Sequence, residues 1–367
     1  MRVLITGANG FIGKNLLVHL HQKGIETLSF TREMKIADLA SDIAAVDFIF
    51  HLAGVNRPKD LSEFETGNTR LTEELCQLVE ASGKQIPILY TSSIQADLEN
   101  PYGLSKRGAE DVLKAFALKT NSPVYIYRLP NVFGKWSRPN YNSAVATFCH
   151  NIANDLPIQI NDPNARISLV YIDDVISSFV ANLDQPNSGV HFPAIQHNYS
   201  ITVGELADQI RLFKESRNSL VSEAVGTGLT RALYSTYLSF LKPEQFAYPL
   251  VTHADPRGRF VEFLKTKDSG QFSFFTAFPG ITRGGHYHHS KNEKFLVIQG
   301  KARFGFRHIV TGEYVERFTD GAVPEVVETV PGWSHDITNI GDTEMIVMLW
   351  ANEIFDRQAP DTISHKV

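Results

Sequence analysis

The sequence predicts an α/β fold built on a doubly wound parallel sheet, followed by an all-β barrel. Three observations carry that expectation. From residue 1 to about residue 215, short apolar runs alternate with helix-period stretches, the βαβα order of a parallel sheet with helices on its faces. Beyond about Val251, short β-rich segments follow one another between Gly, Pro, Asp and Asn, the pattern of an antiparallel sandwich or small barrel. A chain of 367 residues amounts to about two to two and a half domains at roughly 150 residues each, and buries cores that need no disulfide staples.

In the first half, Val3–Thr6, Ile25–Ser29, Phe48–Leu52, Ile88–Ser92 and Val124–Leu129 read as buried strands, being short, rich in Val, Ile and Phe, and bounded by turn residues. Between them, Ile12–Lys23, Asn68–Gly83 and Tyr102–Thr120 carry apolar residues at helical spacing. Residues 226–250 are aromatic and apolar without a period and read as a packed connector. In the second half, Phe260–Lys265, Gln271–Phe278, Lys294–Ile298, Ala302–Ile309, Tyr314–Phe318, Pro324–Val330 and Met345–Trp350 read as strands. The expected domains are residues 1–245 and 246–367.

Charge and cysteine usage exclude several classes. With 35 Lys+Arg against 40 Asp+Glu, the formal net charge is −5, against the basic field that a nucleic-acid or anionic-membrane binder displays. Neither nucleic acid nor membrane insertion is therefore expected. Asp47 interrupts the apolar run from Ile43 to Val55, and no stretch reaches the ~18 residues of a membrane span. Met1-Arg2-Val3-Leu4-Ile5 runs straight into a glycine turn, without the apolar region of a signal peptide. Cys76 and Cys149 form no CxxC and fit free thiols in a reducing compartment, so a cytoplasmic protein is expected.

Thr6-Gly7-Ala8-Asn9-Gly10-Phe11-Ile12-Gly13 follows the first strand and opens the first helix. Gly7 allows a tight turn, Gly10 lets backbone N–H groups approach a pyrophosphate, and Gly13 permits close helix–strand contact. A glycine triplet alone is weak; strand before and helix after make it a Rossmann-type dinucleotide site. Where an NAD enzyme places an acidic residue on the ribose, after the second strand, stands Thr31-Arg32. A guanidinium there pairs with a 2′-phosphate, so NADPH is expected over NADH. Tyr102 and Lys106 lie four apart on one helix face, where an ammonium lowers a phenol's pKa and makes Tyr102 a proton donor to a carbonyl. Ser92-Ser93, ending the fourth strand, can hydrogen-bond the same oxygen.

These residues resemble the extended short-chain dehydrogenase/reductases that act on nucleotide sugars. The likeness covers roughly residues 1–245 and continues through His51-Leu52-Ala53-Gly54, Asn68, Arg128-Leu129-Pro130-Asn131-Val132-Phe133-Gly134 and Arg166…Tyr171-Ile172-Asp173-Asp174-Val175. It implies that Tyr102 moves the proton, Lys106 holds the ribose hydroxyls, and Ser93, or alternatively Ser92, orients the carbonyl. It also implies cofactor contacts at Gly7, Asn9, Gly10, Phe11, Ile12, Gly13, Arg32, Ala53 and Lys106, with Asn131 and Arg166 toward the nucleotide sugar.

In the second half, Gly280-x5-His286-x-His288-x4-Glu293-x6-Gly300 is followed by Pro331-Gly332-x-x-His335-x3-Asn339. Residues two apart on a strand share a face, so His286 and His288 can aim inward together, with Glu293 returning from the next strand. Imidazoles plus one carboxylate suit Zn²⁺ first, and also Fe²⁺, Ni²⁺ or Mn²⁺. His288, Glu293 and His335 are the expected ligands, with His286 a fourth ligand or a free base. The spacing resembles the two motifs of the cupin superfamily. Both halves together resemble the bifunctional enzymes of bacterial capsular polysaccharide synthesis. That likeness implies C3 epimerisation of a UDP-2-acetamido-2,6-dideoxy-4-hexulose in the cupin and NADPH reduction of its C4 ketone in the first domain, giving UDP-2-acetamido-2,6-dideoxy-L-talose. A UDP-amino-sugar substrate and a homodimer follow from the same resemblance.

Overall fold

β1 (Arg2–Thr6), β2 (Glu26–Phe30), β3 (Phe48–His51), β4 (Ile88–Ser93) and β5 (Val124–Leu129) form one six-stranded sheet with the short strand Val190–His191, ordered β2-β1-β3-β4-β5 with Val190–His191 at the edge. Every pairing is parallel. These coordinates are a computed structural model, which describes residues 1–184, 187–255, 258–261, 264–266, 270–353 and 358–367.

Parallel strands are covered on both faces, and alternation along each strand sorts the side chains. Leu4, Ile49, Ile88 and Ile126 join a core with Leu75, Cys76 and Val79 of α3 (Leu71–Ala81) and Leu113 and Phe116 of α4 (Pro101–Thr120). On the opposite face Phe50 and Tyr127 pack on Phe179 of the helix Ile172–Ala181, which lies beside α1 (Phe11–Gln22). α4 starts where Asn100 accepts the Gly103 N–H at 2.8 Å with Pro101 in the first turn, and stops at Asn121 with φ 58°. The expected helix Asn68–Gly83 is entered differently. A short α2 (Ser62–Phe64) runs through a π-type turn, Glu65–Arg70, into α3, so Asn68 sits inside the turn instead of opening the helix. Between β2 and β3 the chain makes only two 3₁₀ turns, Ile36–Leu39 and Ile43–Ala45. β3 therefore pairs with β1 on the side away from β2, which opens a crevice at the carboxyl ends of β1 and β3.

Packing divides the chain into one compact unit of residues 1–132 and 168–200 and another of residues 133–167 and 201–367. The second unit carries the helices Ala144–Ala153, Val203–Ser219 and Gly228–Leu238, packed on one another, as well as the β-rich half. The change of sequence pattern near residue 245 thus lies inside this unit.

Among the described residues of the β-rich half, two antiparallel five-stranded sheets stand beside the antiparallel pair Thr252–Asp255 and Gly258–Val261. One runs Ala247–Pro249, Glu325–Glu328, Glu293–Gln299, Met345–Ala351, Gln271–Ala277; the other runs Tyr314–Asp320, Lys301–His308, Trp333–Asn339, Thr282–Tyr287, Ile363–Ser364. They share an aromatic core: the rings of Phe295 and Phe304 lie 5.7 Å apart, and those of Phe246 and Phe306 5.4 Å. Thr282–Tyr287 and Trp333–Asn339 are strands that composition does not announce, because glycines dilute the first and a glycine turn precedes the second. The expected strand Phe260–Lys265 crosses residues 262–263, which lie outside the described residues.

Strand Glu293–Gln299 carries charge on both faces. Lys294 points away from the core into a buried network where Glu328 pairs with both Lys294 and Arg217, and Lys294 donates to Tyr248 Oη at 3.1 Å. Burial pushes the Glu328 carboxyl up, but the two cations outweigh it and hold it below the ordinary range. Its stabilisation is therefore complete above the unfolded-state value of about 4.3 and is lost as pH falls through the lower folded-state value. Glu328→Gln leaves two buried cations unpaired, and urea unfolding at pH 7 is expected to show a loss of about 3–5 kcal/mol. The acid limb of its stability–pH curve flattens relative to the parent.

Candidate active sites

The glycine turn stands at the mouth of the β1/β3 crevice. Gly7 has φ +71°, and a Cβ there would lie 2.8 Å from the Ala53 nitrogen on the neighbouring strand end. At Gly13 a Cβ would meet Gly7 O at 2.3 Å. Only glycine lets α1 approach this closely. Gly10 caps α1 without a side-chain partner, which leaves first-turn N–H groups for an anion. Asn9 is exposed, Phe11 and Ile12 are half-buried, and Ala53 N–H donates to Thr6 Oγ1 at 3.1 Å. Arg32 lies exposed two residues past β2. The sequence reading passed over Glu33 beside it, whose carboxylate accepts the Thr31 hydroxyl at 2.6 Å.

The ends of β3 and β4 meet the start of α4. His51 is fully buried between the Thr6 and Thr72 hydroxyls at 2.7 and 2.9 Å, and burial with the nearby Lys106 charge pushes its pKa down to about 3, so the ring is neutral. Asn68 ties the crevice wall to α4: its amide donates to Val55 O at 3.0 Å and Ser105 Oγ at 2.9 Å. Lys106 donates to Thr91 O at 2.9 Å and lies 4.8 Å over the Tyr90 ring; burial pushes its pKa down to about 8, against the pull of Glu110. The two serines separate. Ser93 hydrogen-bonds Tyr102, whereas Ser92 donates to Glu110 at 2.5 Å.

One expectation needs correction. Burial raises the Tyr102 phenol above its usual value, partly offset by the Ser93 hydrogen bond. The Lys106 ammonium, expected to lower it, donates instead to Thr91 O and lies over the Tyr90 ring. Glu110, fully buried, accepts the Arg128 guanidinium at 2.9 and 2.6 Å; the sequence motif contains Arg128 but does not disclose its partner. Asn131 donates to Ser168 O at 3.0 Å, and Arg166 is exposed.

In the second unit the spacing motifs converge. One donor atom from each of His286, His288, Glu293 and His335 lies within 4.8 Å of the others. His288 Nδ1 faces the Asp361 carbonyl, an acceptor only, so Nδ1 carries a hydrogen, and Nε2 is hydrogen-bonded to Glu293 Oε2, 3.1 Å away. His335 Nε2 is buried 3.4 Å from the same oxygen without a hydrogen bond. Burial lowers both His335 and His286, the latter to about 3, while the His288 hydrogen bond and the nearness of the His335 ring overcome burial to hold Glu293 well below the carboxylate range. Three imidazoles, an ionised carboxylate and an unbonded buried nitrogen fit a divalent cation, with zinc suited to three nitrogens and one oxygen. Lys291 adds an ammonium 2.9 Å from Glu293 Oε1. Sequence reasoning missed Asp361, which lies some seventy positions from the loop it contacts and belongs to no spacing motif.

The model of the NAD dependent epimerase/dehydratase family matches residues 3–201, and that of a polysaccharide biosynthesis C-terminal domain matches residues 253–363. A UDP-2-acetamido-2,6-beta-L-arabino-hexul-4-ose reductase of Pseudomonas aeruginosa is 61% identical over 368 residues, covering 100% of this chain and 99% of its own. The crystal structure of capsular polysaccharide assembling protein CapF from Staphylococcus aureus is 42% identical, with a TM-score of 0.69 over 100% of both chains. A UDP-glucuronic acid 4-epimerase from Bacillus cereus in complex with NAD, 21% identical, covers 58% of this chain and 84% of its own at a TM-score of 0.53, a likeness of fold. Matched by one family model over half its length and by relatives from end to end, the chain belongs to the NAD dependent epimerase/dehydratase family, in the form that ends in a polysaccharide biosynthesis C-terminal domain.

Proposed function

We propose that this chain is a two-step nucleotide-sugar enzyme of capsular polysaccharide synthesis. Residues 1–245 reduce the C4 ketone of a UDP-2-acetamido-2,6-dideoxy-4-hexulose with NADPH, and residues 246–367 first epimerise its C3, giving UDP-2-acetamido-2,6-dideoxy-L-talose. The observation that carries the reading is the gathering of Ser93, Tyr102 and Lys106 beside the glycine-turn crevice, in a chain 61% identical to a protein named as a reductase of such a ketone. The likeness to CapF over its whole length supports the capsular setting. Families of both kinds commonly form homodimers, and two buried free cysteines fit the cytoplasm. No helix among the described residues is long and apolar enough to cross a membrane.

Held by the glycine turn, Arg32 and Lys106, NADPH would supply a hydride for C4. Tyr102 donates its phenol proton to the ketone oxygen, for which a raised pKa keeps the proton in place until charge develops there. Ser93 holds that oxygen, Lys106 the ribose hydroxyls, and Arg32 the 2′-phosphate. In the second part, His286, His288, Glu293 and His335 would hold a divalent ion, zinc first, whose charge stabilises an oxygen that gains electrons. The ketone makes the C3 proton acidic, so a base can remove it and an acid return it to the other face. Reduction removes that acidity, which places epimerisation first.

Following NADPH absorbance with the keto sugar is expected to show stoichiometric oxidation; a chain that leaves NADPH unoxidised is not a reductase. Arg32→Ala is expected to raise KM for NADPH by about 10- to 100-fold and leave KM for NADH nearly unchanged. Equal effects on both cofactors would reject the 2′-phosphate role.

Tyr102→Phe is expected to slow reduction by about 10²–10⁴-fold while solvent deuterium still enters at C3. Absence of exchange in the metal-loaded parent would mean a single-activity reductase whose barrel only binds.

His288→Ala and Glu293→Gln are each expected to lower zinc per chain measured by elemental analysis. Unchanged content would refute the ligand set.

A further inference from the structure

His288 and Glu293 stand at either end of an irregular loop, residues 289–292. What holds this loop comes from far along the chain. Asp361 Oδ1 accepts the His289 N–H at 2.9 Å, and Oδ2 accepts the N–H groups of Ser290 and Lys291 at 2.7 and 2.8 Å and the Ser290 hydroxyl at 3.2 Å. The main-chain carbonyl of Asp361 takes the Nδ1 hydrogen of His288. Two residues on, Ile363–Ser364 pairs with Thr282–Tyr287 so that Ser364 lies opposite His286. His365 N–H donates to Gly285 O at 2.9 Å, and its carbonyl accepts the hydroxyl of Ser334, the neighbour of His335, at 2.6 Å. One short segment therefore bonds to His288 itself, to the Gly285 carbonyl next to His286, to the loop that leads into Glu293, and to the residue before His335.

We propose that Asp361 is a positioning residue of the metal centre: its carboxylate fixes loop 289–292 in the shape that brings His288 Nε2 and Glu293 together, and segment 361–365 is part of the centre. The proposal rests on the reading of His286, His288, Glu293 and His335 as metal ligands. A carboxylate suits the place because it accepts on both oxygens. An asparagine turns one NH₂ group toward N–H donors and an alanine accepts nothing. Partners that orient ligands typically account for 10- to 100-fold in metal affinity.

The test uses the full-length chain, stripped of metal and titrated with Zn²⁺ against a chromogenic chelator, with parallel Co²⁺ loading read by visible absorption. Asp361→Ala is expected to weaken Zn²⁺ binding about 10- to 100-fold and Asp361→Asn by less, with altered Co²⁺ ligand-field bands in both. A role confined to general stability would leave the Co²⁺ spectrum of the folded variant unchanged. NADPH binding, read by nicotinamide fluorescence, reports that a variant is folded, and where Asp361→Ala fails it the isosteric Asp361→Asn decides. Variants that bind Zn²⁺ within about twofold of the parent with the parent's Co²⁺ spectrum overturn the positioning role. A parent chain that takes up neither ion overturns the metal reading before any substitution is made, and the positioning role with it.

Discussion

A buried carboxylate must be met by donors or cations, since leaving it uncompensated costs several kcal/mol. Glu110, Glu293 and Glu328 are nearly or fully buried, and each draws together elements that lie far apart in sequence. Glu110 on α4 gathers Arg128 from β5 and Ser92 from β4, which aligns the strand end where Ser93 meets Tyr102. Glu293 draws two imidazoles and Lys291 to one point inside the β-rich half. Glu328 joins Lys294 on the outer face of the same strand to Arg217 on the helix Val203–Ser219. The strand Glu293–Gln299 thus presents a site on one side and an anchor on the other, by alternation alone.

The two sites are built by different means. The crevice proposed for the dinucleotide is made of backbone: Gly7 and Gly13 remove side-chain bulk where α1, β1 and Ala53 nearly touch, and the turn presents N–H groups as an anion site does. The candidate metal site is made of side chains oriented by partners, as the Asp361 carbonyl orients His288. A single ketone unites the two chemistries in the proposed function, because it is both the group that acidifies C3 and the group that accepts the hydride.

Much of this was legible in the residues. Five of the six strands of the parallel sheet lie within a residue or so of where their apolar runs put them, since burial selects those runs directly, whereas the two-residue edge strand Val190–His191 has no such run. The π-type turn around Asn68 was not legible, because its helix-like composition hides one extra residue per turn. Nor was the strand that carries His335, which is held by pairing with Lys301–His308, and the strand expected to carry both His286 and His288 ends at Tyr287, so that His288 lies just past it. The lowered phenol expected for Tyr102 failed for a similar reason: helical spacing put Lys106 on the right face, but the ammonium found nearer partners in Thr91 O and the Tyr90 ring.

By itself the sequence determined the fold class, the glycine turn, the Tyr102–Lys106 pair and the spacing of the four candidate metal ligands, because each depends on residues close together along the chain. The tertiary structure decided which of two adjacent serines meets Tyr102, which packing unit residues 133–167 and 201–245 join, and that Asp361 closes the ligand loop. Those outcomes depend on hydrogen bonds and burial between residues tens of positions apart, for which a linear pattern of residue types carries no distance.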